Sequence, residues 1–224
     1  MTRWAPLKAD VLDALATEIL QQNSKGRVIV AVDGLDGSGK THFAKALAEA
    51  IARRGHAVFS ASVDDFHQPY ELATAAGEDD GPGWYRNAYD YSLLRRVLLD
   101  PFKLSVGTGF VTVGFDRDRN IPAEPKWRTG PKDAILIVEG VFLNRPELRG
   151  LWNYSIWLDV PPAVALERYT SRDGTSSDTS AGLGKRYEGA QRAYLKESKP
   201  KTAATAIIDN TDFAHPRRVF ADSC

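Results

Sequence analysis

The sequence predicts an α/β fold: a doubly wound, mostly parallel sheet with a projecting β-hairpin and a helical lid. Two observations lead there. Short apolar, β-branched runs alternate with amphipathic stretches along most of the chain, the pattern of strands joined by crossover helices. The first such run is followed at once by a glycine-rich loop and then by a helical pattern, the opening of a strand–loop–helix unit. A length of 224 residues suits one domain, 1–224, with a continuous core.

The opening segment, 1–24, carries Leu7, Val11, Leu12, Leu15 and Ile19 at amphipathic helical spacing. Asp10, Asp13 and Glu18 interrupt its polar face, so it reads as a packing helix and not a membrane anchor. Arg27–Asp33 follows as a buried parallel strand. His42–Arg54, with Phe43, Ala46, Leu47, Ala50 and Ile51 on one face, is the next helix. Further strands are expected at Ala57–Ser62, Phe110–Phe115, Ala134–Glu139, Tyr154–Val160 and Ala204–Asp209, with helices over Tyr91–Leu99, Pro161–Ser171 and Lys185–Glu197. Within Lys103–Phe115, Gly107-Thr108-Gly109 separates two alternating runs, which predicts a hairpin outside the main sheet. Gly77–Gly83 and Asp173–Gly184 are rich in small and polar residues and read as mobile loops, the usual material of lids.

Composition narrows the function classes. Lysine plus arginine, 29, equals aspartate plus glutamate, 29, so no polyanion-binding surface is expected, and nucleic acid is not a predicted partner. No apolar run approaches the ~20 residues needed to cross a bilayer. A single cysteine, Cys224, and no recognisable signal peptide point to a reducing, cytoplasmic setting.

Gly34-Leu35-Asp36-Gly37-Ser38-Gly39-Lys40-Thr41 matches G-x-x-x-x-G-K-[ST], the Walker A phosphate-binding loop, in its strand–loop–helix setting. Glycines let successive backbone N–H groups face one anion beside the positive end of a helix. Gly34, Asp36, Gly37, Ser38, Gly39, Lys40, Thr41 and His42 are therefore the expected nucleotide contacts. Lys40 would reach the β/γ-phosphates and the Thr41 hydroxyl would ligate Mg²⁺. The fold class sharpens to a P-loop NTPase, with ATP and Mg²⁺ as expected cofactors.

Three further features carry chemistry. Asp64 follows the strand Ala57–Ser62, where a carboxylate can take the proton of an attacking hydroxyl; a helix-capping turn is the alternative. Asp65 is metal or structural support. Ile135–Val138 ends in Glu139-Gly140, the Walker B position, where an acid holds Mg²⁺; Thr41, Glu139 and Asp64 form the expected metal set. Arg168 and Arg172 lie four residues apart on one helix face and lead into the flexible stretch ending at Lys185-Arg186-Tyr187. There they can close over a γ-phosphoryl group, or simply pair with Glu167 and Asp173. Residues 168–190 are thus the expected lid, and 102–128 the hairpin and acceptor region.

Lys40-Thr41, Asp64 with Phe66, Val138-Glu139-Gly140 and Arg168 to Arg172-Asp173, in this order, resemble the uridine kinase/phosphoribulokinase group of P-loop kinases over about residues 27–215. Tyr89-Asp90 with Leu93-Leu94 is similar to the start of that group's helix over the substrate. Ile208-Asp209-Asn210-Thr211-Asp212 is similar to its terminal strand and turn, which implies Asn210 near the adenine. The resemblance implies ATP as donor and a primary hydroxyl as acceptor. It also implies Asp64 as base, Lys40, Arg168 and Arg172 as catalytic cations, Glu139 as metal acid, and Asp64, His67, Tyr85, Tyr89, Phe115, Asn120 and Arg172 around the acceptor.

Two departures bear on the acceptor. Gly83-Trp84-Tyr85-Arg86-Asn87-Ala88 replaces the run that holds ribose hydroxyls in uridine kinases, and Phe115-Asp116-Arg117-Asp118-Arg119-Asn120 lacks the histidine that meets the pyrimidine. Arg117 and Arg119 suit an anionic or highly polar acceptor, or pair with Asp116 and Asp118. The expected function is a Mg-ATP-dependent kinase of a small-molecule hydroxyl, first a nucleoside such as uridine or cytidine. Pantothenate, ribosylnicotinamide or a sugar is the alternative acceptor, and a non-catalytic nucleotide-binding regulator is the alternative class. The Lys185–Glu197 helix is open to two uses, lid support or a homo-oligomer contact.

Overall fold

The computed structural model describes residues 6–23, 25–104, 107–173 and 177–220, with side chains at 170, 172, 173 and 177–184 left aside. Its centre is β1, Val28–Gly34, every residue of which is buried. Alternation along this strand sends Val28, Val30 and Val32 to one face and Ile29 and Ala31 to the other, so the sheet needs cover on both sides.

One face is covered by α1 (Lys8–Gln22) and α2 (Lys40–Ala52). Val11, Leu15 and Ile19 of α1 pack with Phe43, Leu47 and Ile51 of α2 over the even-numbered valines. The N-terminal segment is a packing helix, as its pattern predicts. After β2 (Val58–Ser62) and a 3₁₀ turn, Val63–Phe66, come the short helices α3 (Tyr70–Ala73) and α4 (Gly81–Asn87). A longer helical stretch on the second face is made of α5 (Tyr91–Leu94), a π-turn at Arg95–Leu99 and α6 (Asp100–Lys103).

Between residues 110 and 128 the chain forms a small antiparallel ribbon. β3 (Phe110–Val111) pairs with β6 (Trp127–Arg128), and β4 (Phe115–Asp116) pairs with β5 (Ile121–Pro122). This corrects the expected hairpin over Lys103–Phe115. Lys103 ends a helix, and the ribbon turns instead near Asn120, which adopts a positive φ of 52°. Burial decides it: Leu98 and Phe102, four residues apart on the helix, both enter the core, and Phe110 meets Phe102 edge-on at 5.1 Å.

The sheet is completed by β7 (Ile135–Gly140), β8 (Tyr154–Asp159), β9 (Ala206–Asp209) and β10 (Arg217–Val219) in the order β10-β9-β8-β1-β7-β2. All neighbours are parallel except β10, which returns antiparallel to β9. The parallel register aligns Val32 of β1 and Ser62 of β2 with Glu139, so the carboxyl ends of β1, β2 and β7 share one edge. In a doubly wound sheet that edge is where ligands bind.

The second face carries α7 (Pro162–Asp173), α8 (Ser177–Ser198) and α9 (Pro200–Ala203). The stretch Asp173–Gly184, expected as a loop, is already helical from Ser177 onward. Its serines and glycines are tolerated in a helix that the buried Ala190 and Tyr194 dock to the core. The acidic loop before α4 is likewise shorter than expected, because Asp80 caps a helix starting at Gly81 by accepting from the Gly83 N–H at 3.0 Å. A side chain on Gly81 would collide with the Gly189 backbone at 2.5 Å, so this glycine lets α4 and α8 approach closely.

A buried carboxylate fastens three of these parts. Asp33, at the end of β1, accepts from the Asn144 backbone N–H at 2.9 Å, from Asn144 Nδ2 at 2.8 Å and from the Tyr194 hydroxyl of α8. Burial still pushes its carboxyl above the ordinary aspartate range. Among the described residues, no helix is long and apolar enough to cross a membrane.

Candidate active site

The glycine loop leaves β1 and enters α2 through two left-handed residues, Gly37 (φ 79°) and Gly39 (φ 87°). A Cβ on Gly39 would meet the Phe213 ring at 2.6 Å, so only glycine fits this cap. Lys40, at the start of α2, is largely buried; its Nζ donates to the Leu35 carbonyl at 2.9 Å and stands 3.8 Å from Asp36. Next to it, the Thr41 hydroxyl donates to Glu139 Oε1 at 3.3 Å. Burial raises the Glu139 carboxyl and the Asp64 charge adds to this, while the Lys40 ammonium opposes it.

Asp64 stands in the 3₁₀ turn after β2, and its Oδ1 accepts from the Tyr89 hydroxyl at 2.9 Å. Burial, then the Asp64 charge, holds the Tyr89 phenol well above 10, so it remains a neutral donor. Asp36, Gly37, Gly39, Lys40, Thr41, His42, Asp64, Glu139 and Arg168 line one cleft of about 540 Å³. The arrangement offers a cation and backbone N–H groups for phosphates, hard oxygen donors beside them, and a carboxylate opposite.

Gly34 and Ser38 lie buried beneath the cleft, and Asn210 Nδ2 donates to the Ser38 carbonyl at 2.8 Å. Arg168 donates to the carbonyls of Asn210 at 3.2 Å and Thr211 at 2.5 Å, and its guanidinium lies 3.8 Å from the Phe213 ring centroid. In this conformation Arg168 fastens the turn after β9 to the loop. The Arg172 side chain lies outside the described residues. Phe213 lines the cleft and was missed by sequence reasoning. It falls one residue beyond the Asn210–Asp212 turn, and only the β9–β10 return brings it over Gly39.

The expected acceptor residues divide. His67 lies behind Tyr89 and Trp84, with ring centroids at 4.8 and 5.4 Å. Tyr85 instead enters the core, where its hydroxyl bonds Ser198 Oγ at 2.8 Å and its ring meets Phe142 at 5.1 Å. Phe115 lines a separate pocket of about 570 Å³ with Asp65 and Arg117. Asn120 Oδ1 accepts from the Tyr70 N–H at 2.9 Å. Tyr85, Phe115 and Asn120 thus do not line the Asp64 cleft, although β4, which carries Phe115, packs beside the turn that holds Asp64.

Burial, and then the Arg117 guanidinium, pushes the His67 pKa down to about 4. The unfolded chain therefore takes up this proton near pH 6.5 while the folded chain resists it to about 4. Stability should rise with pH between those values. A shift of this size corresponds to about 3 kcal/mol. Urea unfolding of His67→Gln should show a flatter acid limb than the parent chain; parallel limbs would refute the assignment.

No family model matches the chain. It is 28% identical over 151 residues to a uridine kinase of Ligilactobacillus salivarius (strain UCC118), covering 65% of this chain and 66% of that protein, just under two thirds. It is 25% identical over 207 residues to a uridine kinase of Geobacillus kaustophilus (strain HTA426), covering 88% and 85%. Its fold matches that of a protein described as a possible uridine kinase from Bacillus stearothermophilus, with TM-score 0.69, 24% identity and coverage of 88% of this chain and 97% of that one. In sequence and in fold, the chain is similar to the uridine kinase-like P-loop kinases.

Proposed function

We propose that this protein is a kinase that transfers the γ-phosphoryl group of Mg-ATP to a primary hydroxyl of a small metabolite. The observation that carries the reading is the convergence of Lys40, the Thr41–Glu139 pair and Asp64 on one cleft at the carboxyl edge of the sheet. The loop N–H groups and Lys40 hold the triphosphate. Asp64, oriented by Tyr89, accepts the proton of the attacking hydroxyl. The Thr41 hydroxyl and the Glu139 and Asp64 carboxylates are hard oxygen donors that suit Mg²⁺, which would neutralise charge on the β- and γ-phosphates. Phe213, with Arg168 stacked on it, offers a face for the adenine beside Asn210. Residues 168–190 act as the lid that excludes water from the reacting atoms.

The names of the curated relatives put uridine first among acceptors. A second reading, a different small alcohol such as pantothenate, ribosylnicotinamide or a sugar, is favoured by two expected acceptor contacts being engaged elsewhere, Tyr85 with Ser198 in the core and Asn120 with the Tyr70 N–H. A coupled ADP-release assay with Mg-ATP against these compounds tests both. Saturable, acceptor-dependent release is expected. Silence across the panel would favour a non-catalytic nucleotide-binding regulator.

A further inference from the structure

Arg186 on α8 is only 4% exposed, yet among the described residues no carboxylate lies within salt-bridge distance of it. Its Nη1 donates to the Glu78 carbonyl at 3.2 Å and its guanidinium stacks 4.0 Å from the Trp84 ring centroid. Its Nε has no hydrogen-bond partner, and the indole Nε1 of Trp84 beneath it has none either. Burying a guanidinium without an anion is costly, and leaving N–H donors unmatched adds to that. An uncompensated buried cation of this kind points to a ligand that supplies the missing charge.

A second cation faces the same cluster. Arg117 does not pair with Asp116 or Asp118 among the described residues; Asp116 Oδ1 instead accepts from the Arg119 N–H at 3.1 Å. Arg117 Nη2 reaches the Tyr187 hydroxyl at 3.4 Å, while the Arg186 guanidinium lies 5.6 Å from the centroid of that same ring. Both guanidiniums bear electrostatically on His67, and Arg117 also on Asp64. The cluster is joined to the reacting position through packed rings: Trp84 to His67, His67 to Tyr89, and the Tyr89 hydroxyl to Asp64.

We propose that the acceptor carries an anionic oxygen group, a carboxylate or a phosphate, and that Arg186 and Arg117 hold it while the hydroxyl at the other end of the acceptor faces Asp64. The inference rests on the kinase reading of the Asp64 cleft. The unmatched Nε–H of Arg186 and indole N–H of Trp84 supply donors for such a group. A neutral acceptor would leave these donors and the buried Arg186 charge uncompensated, whereas Arg117, which is exposed, would act as a second cation at the mouth of the seat.

The test is ADP release by the full chain with Mg-ATP and matched acceptors differing in one anionic group. Uridine is set against orotidine, ribosylnicotinamide against ribosylnicotinate, and panthenol against pantothenate. Glycerol against glycerol 3-phosphate is the phosphate arm. At least one acidic member should exceed its partner lacking the acid by about 30-fold in kcat/KM, the size of one charge-assisted hydrogen bond. Arg186→Gln should reduce that ratio to a few-fold, and Arg186→Lys should restore part of it. Arg117→Gln serves as the second variant if Arg186→Gln does not fold. Members lacking the acid that match or beat every acidic partner would overturn the proposal while leaving kinase activity intact, as would a ratio unmoved by both glutamine variants.

If no acceptor releases ADP, the kinase reading has failed separately. Titration calorimetry of the acidic members onto protein saturated with Mg²⁺ and a non-hydrolysable ATP analogue then decides the seat directly. Binding lost in the glutamine variants supports it, and no binding, or binding indifferent to them, overturns it.

Discussion

Asp64→Asn is expected to lower acceptor-dependent turnover by about 10²–10⁴-fold, the range for loss of a positioned general base. Asparagine is nearly isosteric, and its carbonyl can still accept the Tyr89 hydroxyl bond that holds Asp64 at 2.9 Å. What disappears is the ability to take a proton, while the amide oxygen can still face a cation. Lys40 and the glycine loop are untouched, so affinity for a non-hydrolysable ATP analogue should change little. The decisive pair of measurements is kcat by ADP release and analogue affinity by titration. Full activity in the variant would remove Asp64 as base, and a loss of nucleotide affinity as large as the loss of turnover would leave it a metal donor alone.

Lys40→Met should reduce kcat/KM by about 10²–10³-fold, comparable to removing one preorganised charge stabiliser from a site sheltered from water. The lysine stands 3.8 Å from Asp36 and lines the same cleft as Glu139 and Asp64. Its charge also holds the Glu139 carboxyl down against burial. Without it Glu139 titrates at higher pH, so the acid limb of the pH profile should move upward as well as the rate falling. A rate loss with an unmoved acid limb would separate the phosphate role of Lys40 from any influence through Glu139.

The parts of the fold that could be read from the chain are those set by local chemistry. A continuous β-branched run can only be a strand covered on both faces, and β1 is one. The glycine loop is built from backbone angles that its own residues permit, so its position and its helix followed directly. Glu139 was legible because it ends an apolar strand, and Asp64 because it follows the next strand, β2; strand ends in a parallel sheet deliver such residues to the ligand-binding edge.

Other features depend on distant partners. Tyr85 and Tyr89 are four residues apart and were equal candidates; the fold sends one to Ser198 in the core and the other to Asp64. The ribbon turns near Asn120 and not at Gly107, because Phe102 and Phe110 gain more by burial than a glycine turn can offer. Arg168, read as a lid cation, is held by two carbonyls of the turn after β9, and Phe213 arrives through the same turn.

Strand type, the phosphate loop and the two key acids were therefore written in contiguous residues, because each depends on periodicity, backbone freedom or position at a strand end. Strand order, ribbon register, the direction of each aromatic ring and the uncompensated charge of Arg186 emerged only with tertiary packing. They depend on which remote surfaces exclude water together, and no short stretch of sequence encodes that.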